Sequence, residues 1–117
     1  MHKTKINKPW GYEEIWAQTK DYVGKILHIN EGERLSLQFH VDKEETIRVL
    51  SGVLEVVYSR QKNGQLKSLI LEEGDFFHVH PMTIHRFCAS QGTDVQIVEV
   101  STNYLDDVVR VEDDYSR

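Results

Sequence analysis

Residues able to bind a metal gather in two stretches of this chain. The first, R-L-S-L-Q-F-H-V-D-K-E-E-T-I-R-V-L-S-G, runs from Arg34 to Gly52 and holds Gln38, His40 and Glu45. The second, H-V-H-P-M-T-I-H-R, carries His78, His80 and His85. An amide oxygen, a carboxylate and imidazoles converging from separate strands form a site for a divalent transition metal. An alternating strand with one polar face is ordinarily just a strand with a wet side. Four of the six histidines lie between His40 and His85, however, and that clustering argues for a site.

The elements that must position these groups can be read from their period. Leu35, Leu37, Phe39 and Val41 fall on one side of an extended segment, and Arg34, Ser36, Gln38, His40 and Asp42 on the other. Gln38 and His40 therefore project together from one face. The polar link Asp42 to Glu44 leads into the apolar run Thr46 to Leu50. If that link returns the chain beside the first strand, Glu45 arrives near His40. His78 and His85 share their register with Phe76 and Phe87, so both are expected to point inward. An inward imidazole requires a partner, and a metal is one.

The rest of the chain reads as short strands and turns. Strands are expected over Tyr12 to Gln18, Tyr22 to Ile29, Arg34 to Val41, Thr46 to Leu50, Val53 to Ser59, Leu66 to Leu71, Phe76 to Val79, His85 to Ala89 and Val95 to Ser101. Ser51-Gly52 is expected to close a hairpin, and Lys62-Asn63-Gly64 another, because both central residues of the latter tolerate positive φ. Asp106 to Arg110 has the makings of a helical turn, although Val108-Val109 favours extension. The acidic end reads as a surface arm. Turns every eight to twelve residues in an all-β chain imply a sandwich or barrel.

Composition narrows the classes of function. At 117 residues the chain, 1–117, is expected to be one domain with one core. A formal net charge of −5, with scattered acidic residues, gives phosphate backbones no attractive surface. No apolar run approaches the roughly 20 residues that span a bilayer. Neither nucleic acid nor membrane is an expected partner. The single cysteine, Cys88, has no internal partner, and the N-terminal M-H-K-T-K-I-N-K lacks the apolar core of a secretory signal, so a reducing cytoplasm is expected.

The two clusters resemble the paired motifs of the cupins. They stand here as G32-…-H40-…-E45-x6-G52 and G74-D75-…-P81-…-H85-R86. K-P-W-G near the start, G-x-x-L-S-L-Q-x-H, I-H-R-F and V-E-V-S-T…L-D-D-V-V-R…D-D-Y extend the resemblance to the cupin-type (type II) mannose-6-phosphate isomerases over nearly the whole length. That resemblance implies a double-stranded β-helix, or jelly roll, with an N-terminal strand arm and a short C-terminal tail. L-S-L-Q-F-H is also similar to the Q-x-H strand of type I phosphomannose isomerases, which implies Gln38, His40, Glu45 and His85 as ligands. The implied cofactor is a divalent ion, zinc first, with manganese, iron or nickel as alternatives. Two departures stand out: Asp42 occupies the second histidine position of the usual H-x-H, and no glycine lies between Pro81 and His85.

The implied chemistry is aldose–ketose isomerisation of a small-molecule sugar phosphate, in which a Lewis acid stabilises the enediolate. Arg34, on the face of Gln38 and His40, and Arg86, next to His85, are the expected phosphate ligands, since guanidinium binds such groups bidentately. Lys43, Glu44 and His78 are candidates for the proton shuttle, with His78 preferred. His80 is expected to be a bystander. Two alternatives use the same cavity: a cupin that binds a sugar or metabolite without turnover, and a metal-dependent oxidoreductase, against which the amide ligand speaks. A homodimer is expected because Leu35, Leu37 and Phe39 would face outward and need a cover, from the segment around Trp10 and Trp16 or from a second subunit.

Overall fold

The computed structural model describes residues 4–61 and 64–115. Among these residues every regular element is a strand: β1 (Thr4–Lys8), β2 (Gly11–Gln18), β3 (Val23–Ile29), β4 (Leu37–Phe39), β5 (Glu45–Ser51), β6 (Leu54–Ser59), β7 (Lys67–Leu71), β8 (Phe76–Val79), β9 (Ile84–Cys88), β10 (Val95–Ser101) and β11 (Val109–Glu112). They form two antiparallel sheets. The larger has the order β1-β2-β3-β10-β5-β8 and the smaller β11-β4-β9-β6-β7. This is the double-stranded β-helix. Among the described residues no helix is long and apolar enough to cross a membrane.

Period-2 alternation sets which side chains meet between the sheets. From the larger sheet, Leu27, Ile29, Ile47, Val49, Val95 and Ile97 turn inward, and Leu54, Val56 and Phe87 meet them from the smaller. The same inward rows carry charge at their other end. Lys25, Glu99 and Glu45 are buried on β3, β10 and β5, with Glu99 opposite both Lys25 and Ile47 in register. The interior is therefore divided along its length into an apolar half and a polar half, and the polar half is the cavity.

Several sequence expectations are corrected by the pairing. Ser51-Gly52 does not close a hairpin: β5 belongs to the larger sheet and β6 to the smaller, so the chain changes sheets there. Gly52 has φ +80°, and a Cβ at that position would meet the Asp94 carbonyl oxygen at 2.1 Å. The expected strand Arg34 to Val41 shortens to Leu37–Phe39, and of the expected sheet pairing Arg34 keeps an isolated bridge to Cys88. Leu35 consequently leaves the outer face and joins the core. Instead of a helical turn, Val109–Glu112 forms β11 and pairs with β4. That pairing occupies the edge of the strand carrying Leu37 and Phe39. Thr4–Lys8, read as a charged start, is β1. Lys62 and Asn63 of the expected turn lie outside the described residues, while β6 and β7 on either side pair antiparallel.

Candidate metal centre and its cavity

Three elements bring the metal-binding groups together. Glu45 opens β5 on its inner face, His85 sits on the inner face of β9, and His40 follows β4. Since β4 and β5 belong to opposite sheets, the largely exposed link through Asp42 to Glu44 carries the chain from one sheet to the other. Glu45 therefore faces His40 across the barrel instead of lying beside it. Glu45 Oε1 is 3.5 Å from His40 Nε2 and 3.2 Å from His85 Nε2. All three side chains are buried. Gln38 is the direct register partner of His85 on the neighbouring strand, so the two share a face. Its Oε1 accepts a hydrogen bond from the Ser36 hydroxyl at 2.8 Å.

Both imidazoles are oriented from behind. His40 Nδ1 meets the Asp107 carbonyl oxygen at 2.6 Å, and His85 Nδ1 meets that of Thr83 at 2.9 Å. A carbonyl only accepts, so each Nδ1 carries the proton, and each Nε2 turns its lone pair toward Glu45. Neither Nε2 has a hydrogen-bond partner. Two lone pairs aimed at a carboxylate in a buried space repel one another unless a cation lies between them. Ligand atoms about 2.1 Å from one ion stand roughly 3.0–3.4 Å apart, close to the separations observed here. The donor set thus fits a divalent metal held by His40, Glu45 and His85, with Gln38 adjacent. Burial alone would push the Glu45 carboxyl up, but hydrogen bonds from His40 and His85, where a proton takes the place of the metal on Nε2, together with the Lys43 ammonium, outweigh it and hold it well below the usual carboxylate range.

A ladder of alternating charge runs from this centre along the larger sheet. Lys43 Nζ is 3.5 Å from Glu45 Oε2 and 3.2 Å from Glu99 Oε2. Burial disfavours its charge, but Glu99 and Glu45 overcome that and raise its pKa above the ordinary lysine value. Glu99 is pushed up to about 8, first by burial and then by the neighbouring Glu45 charge. Lys43 is not aligned to hydrogen-bond Glu99 Oε2, which has no such partner. Beyond Glu99 come Lys25, then Glu13 at 3.5 Å from it, then Lys8 at 3.9 Å from Glu13. Together with the two histidine-bearing strands these groups line a cavity of about 120 Å³, well above the roughly 10–15 Å³ that one water needs. Trp10 and Phe87 close its apolar side.

Residues 1–113 match the family model described as mannose-6-phosphate isomerase C-terminal. The chain belongs to this cupin family. AlgA of Pseudomonas aeruginosa, an alginate biosynthesis protein, is 30% identical over 115 residues, covering 96% of this chain and 23% of that protein. The mannose-1-phosphate guanylyltransferase ManC of Salmonella typhimurium is 33% identical over 121 aligned positions, covering 100% and 24%. The chain therefore spans about a quarter of the length of these relatives. Among solved structures, the capsular polysaccharide assembling protein CapF of Staphylococcus aureus superposes with a TM-score of 0.84 at 13% identity, over 96% of this chain and 32% of that one. Oxalate decarboxylase of Bacillus subtilis gives 0.81 at 13% identity, over 93% and 30%. These two likenesses show the shared cupin fold.

Within this cupin, Gln38, His40, Glu45 and Lys43 line one cavity, His85 is buried behind them against Glu45, and four other residues singled out by sequence, Glu44, His78, Arg34 and Arg86, do not line it. His78 lies on the outer face of β8, because Phe76, whose register it shares, is 70% exposed while Phe77 and Val79 are the inward residues. It meets Thr46 Oγ1 at 2.7 Å and Glu44 Oε2 at 2.9 Å, and its ring stands against that of exposed His80. Glu44, His78 and His80 make a second, surface grouping with metal-ligating atoms. Arg34 is bound to Asp114 at 2.6 and 3.0 Å. Arg86 is buried on the face of β9 opposite His85 and donates to the Leu35 carbonyl and to Glu112. Neither arginine lines the cavity. Lys25, Glu99, Asp107 and Arg110, which do, were not singled out. For Lys25 and Glu99 a signal existed: each interrupts an apolar row at an inward position of its strand.

Proposed function

We propose that the chain is a metal-dependent sugar-phosphate isomerase of the mannose-6-phosphate isomerase type, interconverting an aldose phosphate and its ketose. The observation that carries this reading is the buried His40–Glu45–His85 centre, with two unpaired Nε2 lone pairs, at the end of a cavity lined with alternating charge. His40, Glu45 and His85, with Gln38 beside them, would hold the ion, zinc first and manganese, iron or nickel as alternatives. When bound, the ion supplies Lewis acidity toward the carbonyl and hydroxyl oxygens of the sugar. Lys43, kept charged by two carboxylates, donates hydrogen bonds to those oxygens and holds Glu45 in place. Glu99, whose Oε2 is free of hydrogen bonds in the same cavity, would in its ionised form take a proton from carbon and return it to the neighbouring carbon.

The test is turnover of mannose 6-phosphate to fructose 6-phosphate in deuterated water. Loss of the C2 hydrogen to solvent, abolished by a chelator, is expected of proton transfer through a base. Retention of that hydrogen during turnover would replace the base with a hydride shift, and absence of turnover with every metal tried would reject the isomerase.

A second reading, a metal-containing cupin that binds a sugar or metabolite without turnover, draws support from the relatives, which are several times longer and include guanylyltransferases. We also propose a homodimer, with the outer face of the larger sheet as its interface. Trp16, Leu50, Phe76 and Val100 are exposed there, and four large apolar side chains on one sheet face mark a candidate contact surface. Light scattering that shows a monomer would reject this.

A further inference from the structure

Two motifs carry cations that have no role in the chemistry above, and both reach the cavity wall. K-P-W-G places Lys8 and Trp10 in the cavity wall, and L-D-D-V-V-R places Asp107, Val108 and Arg110 there. The first lies in the tight turn joining β1 to β2, and the second leads into β11. Arg110 is held beside Gln38 by the β11–β4 register. It is exposed, and no carboxylate of the described residues is paired with it. Lys8 is partly exposed, and its nearest acid, Glu13, is 3.9 Å away. The other cations in or beside the cavity wall are committed elsewhere. Lys25 and Lys43 are buried against Glu13, Glu45 and Glu99, while Arg34 and Arg86 are neutralised by Glu112 and Asp114 outside the cavity.

We infer that Lys8 and Arg110 form an anion-receiving rim that takes the phosphate of the ligand whose sugar end reaches the His40–Glu45–His85 centre. Charge balance leads to the same conclusion. Four cations and four carboxyl groups line the cavity, so a divalent ion leaves at least two positive charges in excess. A phosphate monoester carries about −1.5 to −2 at neutral pH. A neutral sugar would leave that excess uncompensated. Arg110 presents a planar fork that matches phosphate oxygens, and Lys8 adds a point charge.

This inference rests on the sugar-phosphate reading of the cavity but not on turnover. The test is calorimetric titration of the zinc-loaded chain with mannose 6-phosphate, with mannose and with inorganic phosphate. The wild-type chain should bind mannose 6-phosphate at least tenfold more tightly than mannose, with inorganic phosphate competing. Arg110→Ala and Lys8→Ala should each weaken mannose 6-phosphate about tenfold to a hundredfold, leaving zinc content and mannose affinity unchanged. Arg110→Gln, which keeps most of the stem, should reproduce the loss and so exclude damage to β11. Arg34→Ala should bind as wild type does. Equal affinity for mannose and mannose 6-phosphate, an unaltered Arg110→Gln, or the same loss in Arg34→Ala would overturn the rim. Phosphate-selective binding without isomerisation would instead reject the isomerase and leave the rim standing.

Discussion

His40 and Asp107 are 67 residues apart in sequence, yet the ring Nδ1 of the first sits 2.6 Å from the carbonyl oxygen of the second. The Asp107 carboxylate meanwhile accepts the backbone N–H groups of Val41, Asp42 and Lys43 at 3.0, 2.7 and 2.9 Å. One residue of the L-D-D-V-V-R segment therefore fixes both the tautomer of a metal ligand and the link that carries the chain across to Glu45. Groups behind a metal ligand commonly change affinity by about 10–100-fold when removed. Asp107→Ala is expected to lower zinc affinity within that range, read by competition with a chromophoric chelator. Asp107→Asn, which retains one acceptor oxygen, should fall between. Wild-type affinity in both variants would show that the link holds its shape without Asp107.

The histidines divide into ligands and bystanders by burial. His40→Ala and His85→Ala each remove a buried ligand aimed at Glu45, and each should leave the purified protein with little or no bound metal after dialysis. His80→Ala should retain one equivalent, because His80 is exposed on the far side of the sheet from that centre. Elemental analysis decides. Full metal in His40→Ala would overturn the ligand assignment, and equal loss in all three would make the Glu44–His78–His80 grouping a site of its own.

Much of the fold was legible because alternation depends only on which side of a strand is buried. Phe76–Val79 and Val95–Ser101 are the strands that the sequence outlines, and G32-…-H40-…-E45 marks the centre. Pairing was less legible. β5 and β6 have the same pattern whether they join one sheet or two, so the change of sheets at Gly52 is set by the close approach of Asp94, 42 residues away. The arginines were misplaced for a similar reason. Arg34 and Arg86 resemble phosphate ligands until Glu112 and Asp114 return from the end of the chain to neutralise them. His78 was placed inward from the register of Phe76, but β8 is an edge strand with exposed Phe76 on its outer face.

Cys88 offers a readout of the smaller sheet. Burial is the main cause that pushes its thiol up to about 11, with the Glu55 carboxylate adding to it. The unfolded chain ionises the thiol near 9, so between those values the native state holds a proton that the unfolded state has released. This contribution to stability is present below pH 9 and is lost as the pH rises toward 11. Thiol labelling of the native chain should be slow at pH 8 and still climbing at pH 10, whereas labelling in urea should level off near pH 9. A native rate that levels off near 9 would show the thiol open to solvent.

Lys43 stands between two buried carboxylates, Glu45 at 3.5 Å and Glu99 at 3.2 Å, and its removal leaves both without their shared cation. Losing one partner of a buried ionic network is destabilising by about 3–5 kcal/mol. Lys43→Met, which keeps the apolar stem, should lose stability of that order in urea unfolding of the metal-free chain. The loss should also depend on pH. Glu99 in the wild type is raised to about 8, so its proton leaves near that pH, and Lys43 compensates the new charge. In the variant only Lys25, itself shared with Glu13, is left to compensate it, and Glu99 keeps its proton to higher pH while the unfolded carboxyl has long been ionised. The stability gap between variant and wild type should therefore widen from pH 6 to pH 9. A gap of the same size at both values would mean that Lys43 acts through Glu45 alone, and no gap would mean that water already screens the ladder.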